Sequence, residues 1–332
     1  MRKKSGKHKP ETDETKETAA GYDYHLPVML SQSCDLLVTN PGGVYVDGTL
    51  GGGGHSAEIL GRLSPQGNLY SFDKDPEAIE HCTAKFAGEL TKGSSSRMTI
   101  INDCFSKANQ HINFRGELTG VLLDLGLSSR QLDSSRRGFS HRANSRIDMR
   151  FSSHGGSAEE LLNAAKEEEL ESIFRNYGEE PFSKTLARRI SQIRRVTPLR
   201  YTYELRAAVE DVVPAAMQKK SLSRVFQALR IAVNNELDVL ASALGMYLGE
   251  LASGGRIVVL SYHSLEDRIV KQFIKSNSKL SKNAEHKVAN SVPILKAITA
   301  KPLEPSDSEI RLNPRARSAK LRAAEKIGTV FV

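Results

Sequence analysis

Short apolar runs alternate with stretches of helical periodicity along most of this chain. The runs cover residues 44–47, 69–73, 98–102, 120–124 and 256–262. Such short runs between helical segments predict a mostly parallel sheet that is covered by helices on both faces. Ligands bind such sheets beyond the carboxyl ends of the strands. Polar residues stand at the ends of all five runs, namely Asp47, Asp73, Asp103, Asp124 and Tyr262. Four acids at consecutive strand ends place the expected functional site at this edge.

The alternation is interrupted between Gln131 and about Ser223, where no strand is predicted. Apolar residues at helical spacing between 182 and 193 share one helix face, and Arg188 and Arg195 lie on the opposite face. We predict an all-helical insertion over residues 131–223, within one α/β domain formed by residues 23–130 and 224–332. Such an insertion either only stabilises the domain or also recognises a substrate, and its many arginines favour recognition.

Two polar segments are predicted to lie outside the packed core. Residues 1–22 are rich in lysine, glutamate and threonine and contain almost no bulky apolar side chains, which predicts a disordered tail. A basic arm that touches RNA is one interpretation of this tail, but the interleaved acids favour a solvated segment. Residues 276–292 are predicted to form a loose polar loop.

Composition and charge narrow the class of protein. The 332 residues are 39% hydrophobic, which is enough for the core of one large domain. A formal net charge of +8 favours a polyanionic partner. Cys34, Cys82 and Cys104 are far apart and match neither a disulfide framework nor a zinc motif, so we expect reduced thiols in a cytoplasmic protein without a metal. No apolar run reaches the ~18 residues that span a bilayer, and no secretory signal is present, so no membrane partner is expected.

The first predicted strand ends in a glycine-rich loop, with four consecutive glycines at residues 51–54. Glycine lets the backbone approach a ligand that side chains would keep away. An acid at the end of the second strand, here Asp73, can accept hydrogen bonds from both hydroxyls of a ribose. A glycine-rich turn that binds nothing is the simpler alternative, but four glycines in a row carry a large entropic cost. We therefore expect an adenosine-containing cofactor.

The spacing of acid and glycines indicates which cofactor. The dinucleotide fingerprint G-x-G-x-x-G is not met, because the pattern is D-x-x-x-G-x-G from Asp47 through Gly51 to Gly53. A carboxylate at the end of the first strand would repel a pyrophosphate near a helix N-terminus, and it would suit a cation. S-adenosylmethionine (SAM) carries an ammonium and a sulfonium and has no phosphate. A SAM-dependent methyltransferase is therefore favoured over a nicotinamide oxidoreductase, which is the alternative.

The fourth strand ends at Asp124 and enters a polar turn. In methyltransferases that act on amino groups, this strand end faces the target nitrogen. An exocyclic amine needs an acceptor that orients its hydrogens and an in-line methyl group, and it needs no strong base before attack. Asp124 is a candidate for that acceptor, for a cofactor contact, or for a helix cap. No Pro-Cys pair adjoins the turn, so the covalent attack used in carbon-5 methylation is not expected.

Eight motifs along the chain resemble, in the same order, those of the bacterial RsmH (MraW) family. They are DGTLGGGGHS at 47–56, LDLGLSS at 123–129, QLD at 131–133, RGFS at 137–140, DMR at 148–150, FQALRI at 226–231, SYHSLEDR at 261–268 and NPRARSAKLR at 313–322. The resemblance spans about His25 to Gly328. It implies a class I SAM-dependent methyltransferase fold, Rossmann-like, with an inserted all-helical subdomain. It also implies direct in-line methyl transfer to N4 of a cytosine in 16S rRNA, at the decoding centre of the small ribosomal subunit. A non-catalytic RNA-binding factor is the rival interpretation, and it would not need Asp73 or the glycines.

The resemblance also assigns cofactor contacts. Gly53 and Gly54 would admit the methionine end, Asp73 would suit the ribose hydroxyls, and Phe105 would pack on adenine unless it is only a core residue. The implied set is Gly53, Gly54, His55, Asp73, Phe105, Asp124 and Gln131, with Asp124 also the catalytic residue.

Residues near the last strand and on the insertion are candidates for RNA contact. Tyr262 is placed to stack on the target cytosine, and His263 either enters the site or is a buried histidine that satisfies backbone groups. A basic stretch after Pro314 is predicted to begin a helix that contacts phosphate, a solvated helix face being the alternative. The candidate phosphate contacts are Arg188, Arg195, Arg315 and Arg317, with Lys320 and Arg322 in the same basic stretch.

Two local patterns set further expectations. Ser264 to Asp267 match a capping box, which predicts that a helix follows the last strand. The family usually has Asp-Gly-Pro-Leu before Asp-Met-Arg, whereas this chain has Asn-Ser-Arg-Ile at 144–147. We expect that loop to contact RNA or to close over the site.

Overall fold

The computed structural model of the protein describes residues 27–90, 96–127, 131, 137–278 and 293–328. The predicted tail over residues 1–22 lies outside the described residues, as does most of the predicted loop over 276–292. Within the described ranges, no helix is both long and apolar enough to cross a membrane. The three cysteines are buried and unpaired.

The core of the fold is a seven-stranded sheet in the order β3-β2-β1-β4-β5-β7-β6. Its first five strands are parallel, whereas β7 runs antiparallel to β5 and β6 antiparallel to β7. The strands are β1 (Val44–Asp47), β2 (Asn68–Phe72), β3 (Met98–Ile101), β4 (Leu118–Asp124), β5 (Leu251–Ser261), β6 (Leu295–Ala297) and β7 (Lys320–Lys326). The predicted mostly parallel sheet is thereby confirmed. Because the strand order reverses between β1 and β4, the crevice for a ligand opens beyond the ends of these two strands.

Helices cover both faces of the sheet, since successive strand residues point to opposite sides. Leu122 and Val258 pack on one face with α1 (Leu30–Leu37) and α2 (Gly54–Arg62). Leu123 and Val259 pack on the other face with α10 (Glu236–Glu250) and α11 (Ser264–Asn277). The helices outside the insertion are α1 (Leu30–Leu37), α2 (Gly54–Arg62), α3 (Pro76–Lys85), α4 (Ala108–His111), α10 (Glu236–Glu250), α11 (Ser264–Asn277) and α12 (Asp307–Leu312).

The insertion between β4 and β5 is helical and has its own hydrophobic core. Leu186 and Ile190 of α7 are fully buried there, whereas Arg188 and Arg195 are exposed, as the helical spacing predicts. The helices of the insertion are α5 (Ala158–Ala164), α6 (Glu167–Gly178), α7 (Ser183–Arg194), α8 (Thr202–Val212) and α9 (Ala215–Asn234).

Helix α9 moves the boundary of the insertion that the sequence predicts. Residue 224 lies inside this continuous helix, and Val225, Phe226 and Leu229 belong to the core of the insertion. The helix ends at Asn235, whose φ of 50° lies in the left-handed region. The core of the insertion therefore extends past residue 223 to the end of α9.

The C-terminal basic stretch differs from its prediction. Pro314 begins a five-residue 3-10 helix that ends at Ser318, and Lys320 and Arg322 then belong to β7. Arg322 is buried, and its Nε and Nη2 donate to the two oxygens of Asp267 at 2.7 and 3.2 Å. The prediction that Lys320 and Arg322 extend a phosphate-binding helix is therefore wrong, because pairing with β5 draws this segment into the sheet.

We expect Asp267→Ala to lower the free energy of unfolding by about 3 kcal/mol, because it leaves the Arg322 guanidinium buried without its counter-ion. Urea unfolding followed by circular dichroism measures the change. The control is Arg268→Ala, which removes an ion pair with Glu179 whose side chains are 65% and 48% exposed. That variant should lose less than about 1 kcal/mol. Equal losses in the two variants would contradict the assignment.

Candidate active site

Asp47 at the end of β1 organises the glycine-rich loop. Its carboxylate accepts from the Ser56 hydroxyl at 2.6 Å and from the Thr49 backbone N–H at 3.1 Å. The residue is fully buried and, among the described residues, is not part of the cavity wall. We expected this carboxylate to face a cation, and the structure corrects that expectation: its oxygens bind donors of the protein itself.

Two glycines at the start of α2 have no room for a side chain. Gly53 has a φ of 70°, and a Cβ on it would stand 2.6 Å from the ring of Phe86. A Cβ on Gly54 would stand 2.1 Å from Pro27 Cγ. Side chains are therefore excluded at both positions by this packing. Gly54 lines a cavity of about 560 Å³, as do Gly51 and Gly52, whereas Gly53 is not among the described residues of the cavity wall.

Asp73 lies just beyond β2 on the wall of this cavity. Its Oδ2 accepts from the Gly51 N–H at 2.8 Å, and its Oδ1 accepts from the Asp75 N–H at 2.9 Å. Burial raises the pKa of Asp73 to about 6, although these two hydrogen bonds act in the opposite direction. Each oxygen keeps acceptor capacity for a further donor, since a carboxylate offers about four acceptor sites.

Asp75 holds Gln131, which lines the cavity. It caps α3 by accepting from the Glu77 N–H at 3.1 Å. Gln131 Nε2 donates to its Oδ2 at 3.1 Å, and Arg137 Nη2 donates to its Oδ1 at 2.8 Å. The sequence analysis did not assign a role to Asp75, although the Asp-Pro pair at the start of α3 is a visible cap signal.

Phe105 and Asp103 lie beyond β3 and both line the cavity. Phe105 begins a short 3-10 helix, and its carbonyl accepts from the Tyr247 hydroxyl at 2.8 Å. The Asp103 carboxylate accepts from His111 Nε2 at 2.9 Å and from Lys107 Nζ at 3.1 Å. Asp103 is therefore largely satisfied within the protein, whereas the Phe105 side chain offers an apolar surface to the cavity.

Asp124 stands at the end of β4 between two partners. Tyr262 donates its hydroxyl to Asp124 Oδ1 at 2.7 Å, and His55 Nδ1 lies 3.5 Å from Oδ2. The Asp124 N–H donates to Thr49 Oγ1 at 2.7 Å, which ties β4 to the glycine loop. Burial raises the pKa of Asp124, against the opposing influence of His55 and the Tyr262 hydroxyl. Residues 125–127 are not helical, so Asp124 does not act as a helix cap there.

The cavity continues past Asp124 to Arg230 and Glu236 at the junction of α9 and α10. Arg230 donates through Nε and Nη2 to the two Glu236 oxygens at 2.8 and 2.9 Å. Both side chains are nearly buried, at 12% and 10% exposure. Neither residue has a predicted role, and the FQALRI motif that contains Arg230 is the signal that the sequence offers.

His263 is the N-cap of α11, one residue before the predicted cap. Its Nδ1 accepts from the Glu266 N–H at 3.4 Å, while Ser264 instead donates its hydroxyl to Glu179 at 3.1 Å. The side-chain atoms of Glu236, His263 and Glu266 come within 4.8 Å of one another, a spacing that a metal ion would fit. Both Glu236 oxygens already accept from Arg230, however, so this group is balanced by a cation of the protein.

The family model for the MraW methylase family matches residues 23–327 of this chain. The chain belongs to the MraW methylase family. Ribosomal RNA small subunit methyltransferase H of Heliobacterium modesticaldum is 43% identical over 314 residues, which are 92% of this chain and 99% of that protein. The protein of the same name from Flavobacterium johnsoniae is 41% identical over 308 residues, which are 92% and 98% of the two chains.

Solved structures to which the chain is similar are much more distant in sequence. An rRNA methylase from Streptococcus thermophilus aligns with a TM-score of 0.40 and 11% identity, over 90% of this chain and 93% of that chain. A Streptococcus mutans protein in complex with SAH aligns with a TM-score of 0.41 and 13% identity, over 90% and 94%. The strand order and helical cover of this MraW family member are those of the class I, Rossmann-like methyltransferase fold.

The loop that departs from the MraW family pattern packs inside the insertion. The Ser145 N–H donates to Thr202 Oγ1 at 3.1 Å, the Ile147 N–H donates to the Arg200 carbonyl at 2.9 Å, and Ile147 is fully buried. The described residues of the cavity wall include none of residues 144–147. The expectation that this loop closes over the site is therefore not met, because the loop is held against the start of α8.

His263, which caps α11, is not among the described residues of the cavity wall, and the other predicted RNA-contacting residues fall into two places. Tyr262 and Arg315 line the cavity. Arg188, Arg195 and Arg317 are exposed and lie outside the cavity wall as the structure describes it. The structure thus brings two of these side chains together with the predicted cofactor residues and leaves the three arginines on the surface.

Proposed function

We propose that this chain is a SAM-dependent rRNA methyltransferase that acts on N4 of a cytosine in 16S rRNA of the small ribosomal subunit, at the decoding centre. Membership of the MraW methylase family and the names of its relatives support the reaction class and the rRNA substrate. The observation that carries the proposal is that Asp73 and Asp124 line one cavity together with several glycines, and that both carboxylates can accept further hydrogen bonds.

The residues that line the cavity suit SAM in their donor and acceptor groups. Gly51, Gly52 and Gly54 line the cavity without side chains, and Gly53 forms the left-handed turn between them, which suits close approach of the methionine end. Asp73 would accept from both ribose hydroxyls, and Phe105 would pack against adenine. His55 and Gln131, held by Asp124 and Asp75, complete the contacts. SAM, when bound, supplies the methyl group.

Asp124 would orient the cytosine amine. The lone pair of this nitrogen is delocalised into the ring, so the enzyme gains most by fixing the position of the amine. The Tyr262 hydroxyl donates to Oδ1, and His55 Nδ1 lies 3.5 Å from Oδ2. A second lone pair on Oδ2 would accept from an amine N–H. The amine proton becomes acidic as the new N–C bond forms, and Asp124 is positioned to receive it. Tyr262 adds an aromatic face on which the base can stack.

The surface charge supports an RNA substrate. Arg188 and Arg195 are exposed on the insertion. Arg317 is also exposed and is two residues from Arg315, which lines the cavity. We infer that these side chains contact phosphates, which fits the net charge of +8.

We expect the dissociation constant of SAM to rise about tenfold between pH 7 and pH 5. The pKa of Asp73 is about 6, so its carboxyl group is ionised at pH 7 and is mostly protonated at pH 5, where it can no longer accept from both hydroxyls. Isothermal titration calorimetry measures the constant. Asp73→Asn is the control, because it should bind weakly at both pH values and lose this dependence. The same pH dependence in both proteins would refute the role of Asp73.

We expect Asp124→Ala to lower kcat for methyl transfer to small subunits by at least about 100-fold, because the amine loses its acceptor. SAM affinity should fall by a smaller factor, because Asp124 is also assigned to the cofactor and holds His55. Asp124→Asn should retain part of the activity, since its carbonyl oxygen still accepts a hydrogen bond. Transfer of labelled methyl groups measures kcat, and calorimetry measures SAM affinity. Full activity in Asp124→Ala would exclude this residue from the reacting centre.

The substrate is tested by mass spectrometry of nucleosides from the 16S rRNA of cells that lack this protein. We expect one cytidine to lose an N4 methyl group and to regain it when the gene is restored. An unchanged nucleoside profile, or loss of a methyl group from another atom, would overturn the assignment to cytosine N4.

A further inference from the structure

Arg230 presents a fixed set of donors to the part of the cavity beyond Asp124. The ion pair with Glu236 uses Nε and one N–H of Nη2, so the guanidinium is held along one edge. The two N–H groups of Nη1 and the second of Nη2 take no part in this pair. Because Arg230 lines the cavity, these donors are available to a ligand there.

The surrounding structure keeps this side chain in place. The left-handed Asn235 ends α9 and begins α10, which brings Arg230 and Glu236 together across a tight junction. Asn234 holds the junction against the insertion, since its Nδ2 donates to the Met149 carbonyl at 2.7 Å and its Oδ1 accepts from the Phe151 N–H at 2.8 Å. The charge of Glu236 raises the pKa of Arg230 against the effect of burial, so the guanidinium stays charged.

Arg230 and Asp124 line the same cavity and are linked by a series of contacts. Glu236, which pairs with Arg230, has a side-chain oxygen within 4.8 Å of one of Glu266. Glu266 accepts from the Tyr262 N–H at 2.9 Å, and the Tyr262 hydroxyl donates to Asp124 at 2.7 Å. The Watson–Crick edge of cytosine runs from the N4 amine through N3 to O2. A base that offers its N4 hydrogens to Asp124 therefore offers two acceptors, N3 and O2, next along the same edge.

We propose that Arg230, held by Glu236, is the specificity-determining residue that donates to N3 and O2 of the target cytosine. This inference rests on the proposed function. Two adjacent guanidinium donors match two adjacent acceptors in one plane, a geometry that lysine does not reproduce. Uracil presents an N–H at position 3, which would face the guanidinium donors without an acceptor. The pair thus selects cytosine before its amine reaches Asp124.

The test replaces the acceptor in the substrate and the donor in the protein. Small subunits are reconstituted with 3-deazacytidine at the target position, which keeps the N4 amine and turns N3 into a C–H group. We expect the wild-type enzyme to lose about tenfold or more in kcat/KM on this substrate. Arg230→Lys should already be impaired on cytidine and should show little further loss on the analogue, because the partner of N3 is absent.

Two further variants keep the test decisive. Arg256→Lys is the matched control, since Arg256 also pairs with a glutamate, Glu325, at 2.9 Å, but lies outside the described cavity wall. It should discriminate between the two substrates as the wild type does. Glu236→Gln keeps Arg230 but weakens its anchor, so it should lose part of the discrimination, and it decides the question if Arg230→Lys does not fold.

The outcomes separate the two proposals. If Arg230→Lys discriminates against 3-deazacytidine as strongly as the wild type, or if the wild type does not discriminate, Arg230 does not contact N3. If the wild type fails to methylate N4 of cytidine in unmodified subunits, the proposed function itself is wrong. Calorimetry with SAM should give equal affinities for the wild type and Arg230→Lys, because Arg230 is assigned to the base.

Discussion

The buried carboxylate of Asp47 is the interaction on which the site depends. It accepts from Ser56, whose hydroxyl lies 2.9 Å from that of Ser71 in β2, and from Thr49, whose hydroxyl accepts from the Asp124 N–H. One carboxylate thus joins the ends of β1, β2 and β4 and fixes the glycine loop between them. Burying a charge is expensive unless donors surround it, and here the donors are the groups whose positions the site requires.

Acids at strand ends differ in what they can still do, and hydrogen-bond accounting separates them. Asp47 and Asp103 accept from donors of the protein and have little left for a ligand. Asp73 accepts two backbone N–H groups, and Asp124 accepts one hydroxyl, while both face the cavity. Burial raises the pKa of both of these carboxyl groups, so their ionised forms are stronger hydrogen-bond acceptors than exposed carboxylates.

The sequence predicted the parts of this protein that depend on local periodicity. The five parallel strands and the helical insertion follow from apolar spacing, and the family resemblance supplied the reaction. The sequence does not predict β6 and β7. Ala323 and Ala324 carry a weak strand signal, and pairing with β5 decides the conformation of β7. Ser264 and His263 both stand three residues before an acid, and the sequence predicts the cap of α11 at Ser264. In the structure the cap is His263, which follows the end of β5. The Arg230–Glu236 pair was not predictable, because a left-handed turn at Asn235 creates it.

Helix α9 links the insertion to the chemistry at the end of the sheet. Its middle residues, such as Val225 and Leu229, belong to the core of the insertion, while Arg230 and Asn234 near its end line the cavity. A rigid helix that serves both parts cannot shift in the insertion without moving its last turn in the cavity. The insertion also carries Arg188 and Arg195 on its exposed side. Arg188 lies within α7 and Arg195 caps its end, and this helix shares the core of the insertion with α9. Binding of an RNA backbone by these arginines would therefore act, through this core and the last turn of α9, on the residue we assign to the target base.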